Sequence, residues 1–353
     1  MSRFFSSKFL SLTPYTPGEQ PKIMNLVKLN TNESPFPPSQ KAVSAAVEAA
    51  EILQLYSDPT ASTLTSKMAE ILGVTPEQVL MTNGSDEILN FAFMAYCDKE
   101  TSVAFPDITY GFYPVFAQLY NIDFEEIPLD ENFRIRVSDY LGINKTIFIA
   151  NPNAPTGIAL SLAEIEEIVK SNPDNVVVID EAYVDFGGES AVCLVDKYEN
   201  LLVTGTFSKS RSMAGARLGF GVASKAIIQD LNTIKYSTNP YNINRMTMAA
   251  GIGALEDEEY TKANCNIICK NREYTVAELK KLGFEMTDSS ANFIFAKHRT
   301  VSGSEIYTKL REKSILVRHF NAPRICEYNR ITIGTREQMD KFLNAIREIL
   351  EGK

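Results

Sequence analysis

The chain has 353 residues, of which 44% are hydrophobic and 22% are charged, the balance of an ordinary soluble globular protein. Its 44 Asp and Glu residues outnumber its 35 Lys and Arg residues, which gives a formal charge of −9 and argues against a nucleic-acid partner. No apolar run approaches the ~18–20 residues that span a bilayer, and the first residues contain no long apolar signal segment, so we expect no membrane partner and no signal peptide. At about 150 residues per domain, the length predicts two domains.

The cysteines and histidines restrict the chemistry further. Five cysteines, an odd number at irregular spacing, are typical of free thiols in a reducing cytoplasm. His298 and His319 are the two histidines. Acid–base or metal chemistry would have to use other groups, and we expect no metal.

The N-terminal part of the chain predicts an arm and then an α/β fold. The first 38 residues are rich in proline and irregular, which indicates an arm followed by a loop. Short β-branched runs then alternate with helical patterns, and a helix opens at Ser161 with Glu164 completing a capping box. The predicted strands are 79–82, 101–105, 146–150, 175–180 and 200–207, and the predicted helices include 85–97 and 111–120. This alternation indicates a large domain with a mostly parallel sheet flanked by helices.

The pattern changes near Pro240 and predicts a smaller α+β domain. A long helical stretch covers 242–282, with a break expected near Glu258, and the last helix is predicted to begin after Thr335 as its N-cap. Between them we predict strands at 291–297, 315–318 and 330–335, and a helix at 302–313. We therefore divide the chain into an arm that packs on the small domain, a large domain and a small domain, with limits 1–30, 31–245 and 246–353.

Polar residues follow several predicted strands, at the edge where open α/β sheets bind ligands. Gly84, Ser85 and Asp86 lie where a strand meets a helix, whose N-terminus offers free N–H groups to an anion. A plain helix cap at Ser85 explains the same residues. The segment 151–157, NPNAPTG, fixes a loop at another strand end, which any rigid turn would also do.

A carboxylate ends the strand VVVI. Asp180 and Glu181 follow that strand, and a carboxylate there is unfavourable unless a cation or a donor meets it. P-loop ATPases use a similar Asp-Glu pair, but the chain has no GxxxxGK[ST] segment, so that interpretation is excluded. The segment 251–256, GIGALE, has Glu256 where a dinucleotide-binding fingerprint has glycine, and no strand precedes it, so dinucleotide binding is excluded too.

The segment 204–221, TGTFSKSRSMAGARLGFG, carries the most information. Lys209 stands just past a buried strand, between Ser208 and Ser210. A partly desolvated lysine amine can form a Schiff base, while the serines and Arg217 suit a phosphate. The alternative for Lys209 alone is a solvated loop lysine.

One ligand, pyridoxal 5′-phosphate, accounts for all these groups together. It has an aldehyde for Lys209, a ring nitrogen for Asp180 and a phenolic oxygen for Tyr183. Its phosphate suits a set of hydroxyl and basic side chains, namely Ser85, Ser208 and Arg217.

At this point the chain resembles the fold-type I pyridoxal-phosphate aminotransferases over nearly its whole length, and it is most similar to the histidinol-phosphate aminotransferase group. The resemblance is carried by LTPYTPG near the start, LNTNESP at 29–35, the segment from LYSDP to TNGSDE at 55–87, PDITYGFY, NPNAPTG, VVVIDEAYVDF, TFSKSRSMAGARLGF, ILVR and RITIGTREQMDKF.

The resemblance implies a role for each matching residue. Lys209 would bond covalently to the cofactor and then carry a proton between substrate and cofactor. Asp180 would pair with the ring nitrogen, Tyr183 would hydrogen-bond the ring oxygen, and Tyr110 would stack on the ring. The other residues implied in cofactor binding are Gly84, Ser85, Asp86, Asn153, Thr206, Ser208 and Arg217, with Tyr56 reaching the cofactor of a neighbouring subunit in a homodimer.

One position departs from the family pattern. The family usually has a second Asn directly before Pro-Thr-Gly, where it bonds the ring oxygen, and this chain has Ala154. Tyr183 would then make that contact alone, or Asn153 would help.

The resemblance also implies the substrate site. Arg318 and Arg330 would hold the phosphate of histidinol phosphate and the carboxylates of glutamate or 2-oxoglutarate, since bidentate guanidinium groups suit both; surface ion pairing is the alternative. Tyr15 of the arm would close over the site, and Asn32 would also bind substrate. His319, beside Arg318, is a further candidate contact, whereas Cys265 and Cys269 have no ligand partners nearby.

The implied activity is that of a cytoplasmic, homodimeric transaminase. It would interconvert histidinol phosphate and 2-oxoglutarate with imidazole-acetol phosphate and glutamate, in histidine biosynthesis. The alternatives are a threonine-phosphate decarboxylase or an aromatic amino-acid aminotransferase of the same fold. A non-enzymatic regulator that binds the cofactor is a third, but the chain shows no DNA-binding extension or basic patch.

Overall fold

The computed structural model describes residues 2–10, 12–21 and 25–352. The strands are β1 (Val27–Lys28), β2 (Val79–Thr82), β3 (Val103–Pro106), β4 (Phe124–Ile127), β5 (Thr146–Ala150), β6 (Val177–Asp180), β7 (Leu201–Thr206), β8 (Gly219–Ala223), β9 (Phe284–Met286), β10 (Phe293–His298), β11 (Ile315–Leu316), β12 (Arg318–His319) and β13 (Asn329–Thr332). The helices are α1 (Gln40–Ala50), α2 (Ser62–Leu72), α3 (Ser85–Tyr96), α4 (Tyr113–Tyr120), α5 (Leu162–Ser171), α6 (Lys225–Thr238), α7 (Arg245–Leu255), α8 (Glu258–Lys281), α9 (Gly303–Glu312) and α10 (Arg336–Leu350).

The larger sheet has seven strands in the order β2-β8-β7-β6-β5-β3-β4. Among these strands β8 alone runs antiparallel to both of its neighbours, and the other pairings are parallel. The central strands are apolar and buried on both faces, as expected where helices cover a parallel sheet on each side. The predicted mostly parallel sheet flanked by helices is confirmed.

The smaller sheet is antiparallel, in the order β12-β13-β10-β9. Its core is formed with side chains of α8, α9 and α10. Val27 of the N-terminal segment belongs to the same core, since β1 pairs in parallel with β11. The smaller α+β unit predicted from the second half of the chain is therefore present, and the N-terminal segment completes it.

Two predicted helix caps and one predicted break are confirmed. The Ser161 hydroxyl accepts the N–H of Glu164, whose carboxylate accepts the Ser161 N–H in return, and Thr335 makes the same reciprocal pair with Gln338. Helix α7 ends before α8 begins at Glu258, as predicted. Sequence patterns missed β8, because two of its five residues are glycines that are more typical of a loop.

The domain limits 1–30, 31–245 and 246–353 stay a prediction. Ala250 and Ala254 of α7 pack into the core of the large sheet, which extends that packing unit to the end of α7. Of the predicted ranges, residues 1, 11, 22–24 and 353 lie outside the described residues. No helix within the described residues is long and apolar enough to cross a membrane.

Candidate active site

A cavity of about 280 Å³ lies at the carboxyl ends of β5, β6 and β7. The strands end there because polar residues follow each apolar run, and parallel strands bring their carboxyl ends to one edge. Most of the predicted cofactor residues line it, namely Ser85, Asp86, Tyr110, Asp180, Tyr183, Thr206, Ser208, Lys209 and Arg217.

The first turn of α3 forms one wall of the cavity. Gly84 precedes the helix with φ 75° and ψ 167°, a conformation open essentially to glycine alone, and no side chain of the described residues caps this end of α3. A Cβ on Gly84 would lie 2.6 Å from Arg217 Nη2, and one on Gly219 would lie 2.4 Å from Ser85 N. The glycines therefore let the guanidinium and the free N–H groups converge, which makes this wall a site for an anion.

Arg217 and Tyr110 share a carboxylate next to that wall. Arg217 Nη2 lies 2.9 Å from Asp86 Oδ2, and the Tyr110 hydroxyl donates to Asp86 Oδ1 at 2.7 Å. Burial, with the Asp86 charge second, raises the pKa of Tyr110 well above its usual range. Tyr110 is therefore held neutral, with its ring in the cavity wall.

Lys209 points into the cavity from the loop after β7. Its Nζ donates to Thr31 O at 3.1 Å and lies 5.9 Å from the centre of the Tyr183 ring. Burial, and next the charge of Arg330, lowers the pKa of Lys209 to about 8. A substantial fraction of the amine is therefore neutral, and nucleophilic, near physiological pH.

Asp180 ends β6 as a buried carboxylate. It accepts hydrogen bonds from Tyr113 Oη at 3.2 Å, and from Ala182 N and Thr204 Oγ1 at 3.3 Å each. Burial, and next the charge of Asp86, raises the pKa of Asp180 to about 6. It forms no ion pair within the described part of the chain, so a cationic ligand would meet an unpaired acid here.

The third wall carries Tyr183 and Ala154. Asn32 Nδ2 donates to the Tyr183 hydroxyl at 3.0 Å, and Ala154 presents only a methyl group to the cavity. Asn153 does not line the cavity, because its amide donates to Ile108 O at 2.9 Å and to Thr156 Oγ1 at 3.1 Å. Both amide hydrogens are used in holding the loop, so the expected help from Asn153 toward a ring oxygen finds no support in this geometry.

Two arginines face each other beside the cavity. Arg318 on β12 pairs in register with Arg330 on β13, and like charges directly opposite each other destabilise a sheet. Arg330 Nη2 donates to Asn30 O at 3.0 Å, while its buried Nε has no hydrogen-bond partner among the described residues. Neither arginine forms an ion pair in the described ranges, so the pair favours a bound anion.

Other predicted substrate and cofactor residues lie outside the cavity lining. Tyr15 packs beside it, with ring centres 4.5 Å from Phe112 and 6.3 Å from Tyr110. Tyr56 is 79% exposed and stacks on Tyr241, so the structure does not bring it to the cavity of its own chain.

His319 is occupied elsewhere. Its Nδ1 lies 3.2 Å from Asn329 Oδ1 and its ring stacks on Tyr307. The side chain therefore helps to hold the small sheet together and is not aimed at the cavity.

Sequence reasoning missed two polar lining residues, Thr31 and Glu33, as well as three alanines, Ala150, Ala182 and Ala214. The Thr31 hydroxyl donates to Glu33 Oε2 at 2.8 Å, and Lys28 pairs with the same carboxylate. Thr31 and Glu33 belong to LNTNESP, where several polar residues follow the short strand β1. That cluster of polar residues was the available signal.

One cavity is lined by a lysine whose amine burial makes less basic, by a buried acid with no ion-pair partner among the described residues, and by an anion site at a helix N-terminus. On an α/β fold, these features define an enzyme that forms a Schiff base with its ligand. The comparisons with known proteins identify the family. The model of the family "Aminotransferase class I and II" matches residues 24–346, and the chain belongs to this family.

Its relatives are similar along their full length. A histidinol-phosphate aminotransferase of Brachyspira hyodysenteriae is 48% identical over 353 residues, which cover 99% of this chain and 100% of that protein. One of Acinetobacter baumannii (strain AYE) is 49% identical over 350 residues, 98% of this chain and 97% of that protein. The crystal structure of histidinol-phosphate aminotransferase from Sinorhizobium meliloti in complex with pyridoxal-5′-phosphate has a TM-score of 0.89 at 21% identity, covering 100% of this chain and 99% of that one. The last likeness shows the fold.

Proposed function

We propose that this protein is a pyridoxal-phosphate-dependent transaminase that interconverts histidinol phosphate and 2-oxoglutarate with imidazole-acetol phosphate and glutamate, in histidine biosynthesis. The observation that carries the proposal is one cavity in which Lys209, Asp180 and the first turn of α3 converge. The relatives of the same activity, 48% and 49% identical over nearly the whole chain, support the substrate.

The residues present fit the cofactor. The free N–H groups at Ser85, the two glycines that make room there and Arg217 suit its phosphate. Asp180 is a buried acid without an ion-pair partner in the described residues, which suits a protonated ring nitrogen. When bound, pyridoxal phosphate supplies an aldehyde that reacts with amines and a ring that accepts the electrons of a carbanion.

The protein's own groups bind, orient and move protons around it. Lys209 Nζ, with its pKa lowered to about 8, can give up and take back a proton near neutral pH, as a general acid–base requires. Tyr110 and Ala154 line the cavity, and Tyr15 packs against Tyr110 and Phe112 beside it, where it would shield a bound ligand from water. Arg318 and Arg330 bind the substrate's phosphate, or a carboxylate of glutamate, between the two domains.

We further propose a cytoplasmic homodimer. Val47, Leu53, Leu55 and Tyr56 form an exposed apolar surface on α1 and the segment that follows it, with exposed fractions from 54% to 79%. An apolar surface of this kind is typical of a subunit interface. Tyr56 would then reach the cofactor of the second subunit. All five cysteines are free thiols, in keeping with a reducing compartment.

A half-reaction titration tests the function. Added without 2-oxoglutarate, histidinol phosphate should convert the visible absorption of the loaded protein to that of the aminated cofactor, and 2-oxoglutarate should restore it. Release of carbon dioxide from threonine phosphate, with no response to histidinol phosphate, would instead establish the decarboxylase.

Borohydride trapping tests the cofactor's attachment. Reduction followed by peptide mapping should place the label on Lys209. Lys235 is a matched control, because burial also lowers the pKa of its amine, and its Nζ donates to Pro59 O and does not line the cavity. Label on Lys235, or label that survives Lys209→Ala, would refute the assignment.

A further inference from the structure

Three hydrogen bonds connect the small domain to the Tyr183 hydroxyl. The Asn32 N–H donates to Thr332 Oγ1 at 3.0 Å, and the Thr332 hydroxyl donates to Asn32 Oδ1 at 3.0 Å. Asn32 Nδ2 then donates to the Tyr183 oxygen, also at 3.0 Å. Asn32 therefore lies between the strand that carries Arg330 and the cavity wall; it does not line the cavity itself, and its role in substrate binding stays a prediction.

The direction of this chain of hydrogen bonds follows from its first donor. A backbone N–H can only donate, so Thr332 Oγ1 accepts there and its own proton is free for Asn32 Oδ1. The amide oxygen is thereby occupied, and the NH₂ group faces Tyr183. Because the Tyr183 oxygen accepts from Asn32, its own proton is directed away from Asn32, toward the cavity.

Burial holds that direction in place. Asn32 is 1% exposed and Thr332 is 2% exposed, so turning the amide over would leave buried polar atoms unpaired, which is strongly unfavourable away from water. The Asn32 backbone is also fixed: its φ is 55°, in the left-handed region that Asn tolerates, and Asn292 Nδ2 donates to its carbonyl at 3.0 Å.

The Tyr183 hydroxyl proton is important because the neighbouring side chains, Ala154 and Asn153, cannot donate into the cavity. The side chain of Ala154 has no donor, and both hydrogens of the Asn153 side-chain amide are donated to Ile108 O and Thr156 Oγ1. Burial raises the pKa of Tyr183 above its ordinary value, although Arg330 and the bond from Asn32 oppose the rise, so the hydroxyl keeps its proton at neutral pH.

We propose that Asn32 and Thr332 are positioning residues that fix the direction in which Tyr183 donates its hydroxyl proton, aiming it at the ring oxygen of pyridoxal phosphate. The inference rests on the proposed function. A donor at that oxygen stabilises the form of the bound cofactor in which the oxygen carries its full negative charge. The network therefore lowers the pH at which the visible absorption of the loaded enzyme changes.

The test is a spectroscopic pH titration of the loaded enzyme and its variants. Thr332→Val removes the hydroxyl without changing shape, and Asn32→Asp leaves only acceptors facing Tyr183, so that the tyrosine proton turns back to residue 32. Each variant should raise the midpoint of the absorption change by about one pH unit, the equivalent of one hydrogen bond to a charged group. The charged groups that face Tyr183 (Lys209, Arg330, Asp180 and Asp86) remain in every variant.

Two comparisons separate this effect from general damage. Thr146→Val removes a buried hydroxyl that donates to Tyr96 O at 2.8 Å. Thr146 begins β5, whose other end borders the cavity, so this variant should leave the midpoint unchanged. In a Tyr183→Phe background, the Thr332→Val shift should vanish, and Asn32→Asp should keep only the direct effect of its charge.

The outcomes are distinct. Shifts that depend on the Tyr183 hydroxyl support the proposal, with thermal unfolding confirming that each variant is folded. Shifts that are absent, or that are equal in the Tyr183→Phe background, overturn it while leaving the cofactor assignment intact. A parent protein that acquires no visible absorption with pyridoxal phosphate overturns both this proposal and the proposed function.

Discussion

Replacing Asp180 by asparagine should stabilise the cofactor-free protein at neutral pH. Burial and the charge of Asp86 raise the pKa of Asp180 from its ordinary 3.8 to about 6. Between these two pH values the folded protein holds a proton that the unfolded chain releases, so the free energy of unfolding falls as the pH rises through this window. A difference of about two pKa units corresponds to a penalty of up to ~3 kcal/mol above pH 6.

The Asp180→Asn variant would keep the shape of the side chain without its charge, so the penalty should disappear. Tyr113 and Thr204, which now donate to the carboxylate, can still pair with the amide. The free energy of unfolding of the variant should therefore exceed that of the parent by up to ~3 kcal/mol at pH 7. This difference should shrink toward zero near pH 4, where Asp180 of the folded parent protein is protonated and carries no charge.

Urea denaturation of the two cofactor-free proteins, at one protein concentration and at several pH values between 4 and 7, measures this difference. The same substitution should harm catalysis: the loaded Asp180→Asn enzyme should be about 10²–10³-fold less active than the parent, since a neutral amide no longer favours a protonated ring nitrogen. A stability difference that does not change with pH, or one that favours the parent protein more at pH 7 than at pH 4, would refute the reasoning.

Three further predictions concern other parts of the site. Gly219→Ala should lower the free energy of unfolding by about 1–3 kcal/mol and weaken cofactor binding, because its Cβ would lie 2.4 Å from backbone atoms at the start of α3. Gly215→Ala is the control, since a Cβ there meets nothing within 4 Å. Equal denaturation midpoints for the two variants would contradict the packing argument. Glu19→Gln should raise the KM for phosphorylated substrate by no more than about fivefold and leave kcat nearly unchanged. The reason is that it removes only a surface charge, the one that pairs the N-terminal arm with Arg311 at 3.1 Å. A large fall in kcat would argue against a purely positioning role for the arm. The rate at which added pyridoxal phosphate attaches to Lys209 should rise with pH and level off above about pH 8, because the neutral amine is the nucleophile. Stopped-flow absorbance measures this rate. A rate that still rises up to about pH 10 would show that the pKa of Lys209 is not lowered.

The parts of the site that follow strand ends could be predicted from the sequence, because each lies within a few residues of its own local signal. Asp180 and Lys209 are of this kind, since each comes directly after an apolar run. The strand Gly219–Ala223 could not be predicted, because two of its five residues are glycines and only its pairing with the neighbouring strands makes it a strand. The contact between Asn32 and Thr332 could not be predicted for a related reason: the two residues lie 300 residues apart, and no local pattern indicates that contact.

That separation along the chain has a consequence for synthesis of the protein. At ~5–20 residues per second, the ribosome needs roughly 15–60 s to reach Thr332 after it has made Asn32. The last strand of the large sheet along the chain ends at Ala223, so this sheet can form during that interval. The N-terminal segment, in contrast, cannot make its contacts until β11 and β13 have been synthesised. A nascent chain should therefore assemble the phosphate end of its cavity first, and gain an oriented Tyr183 only when translation is nearly complete.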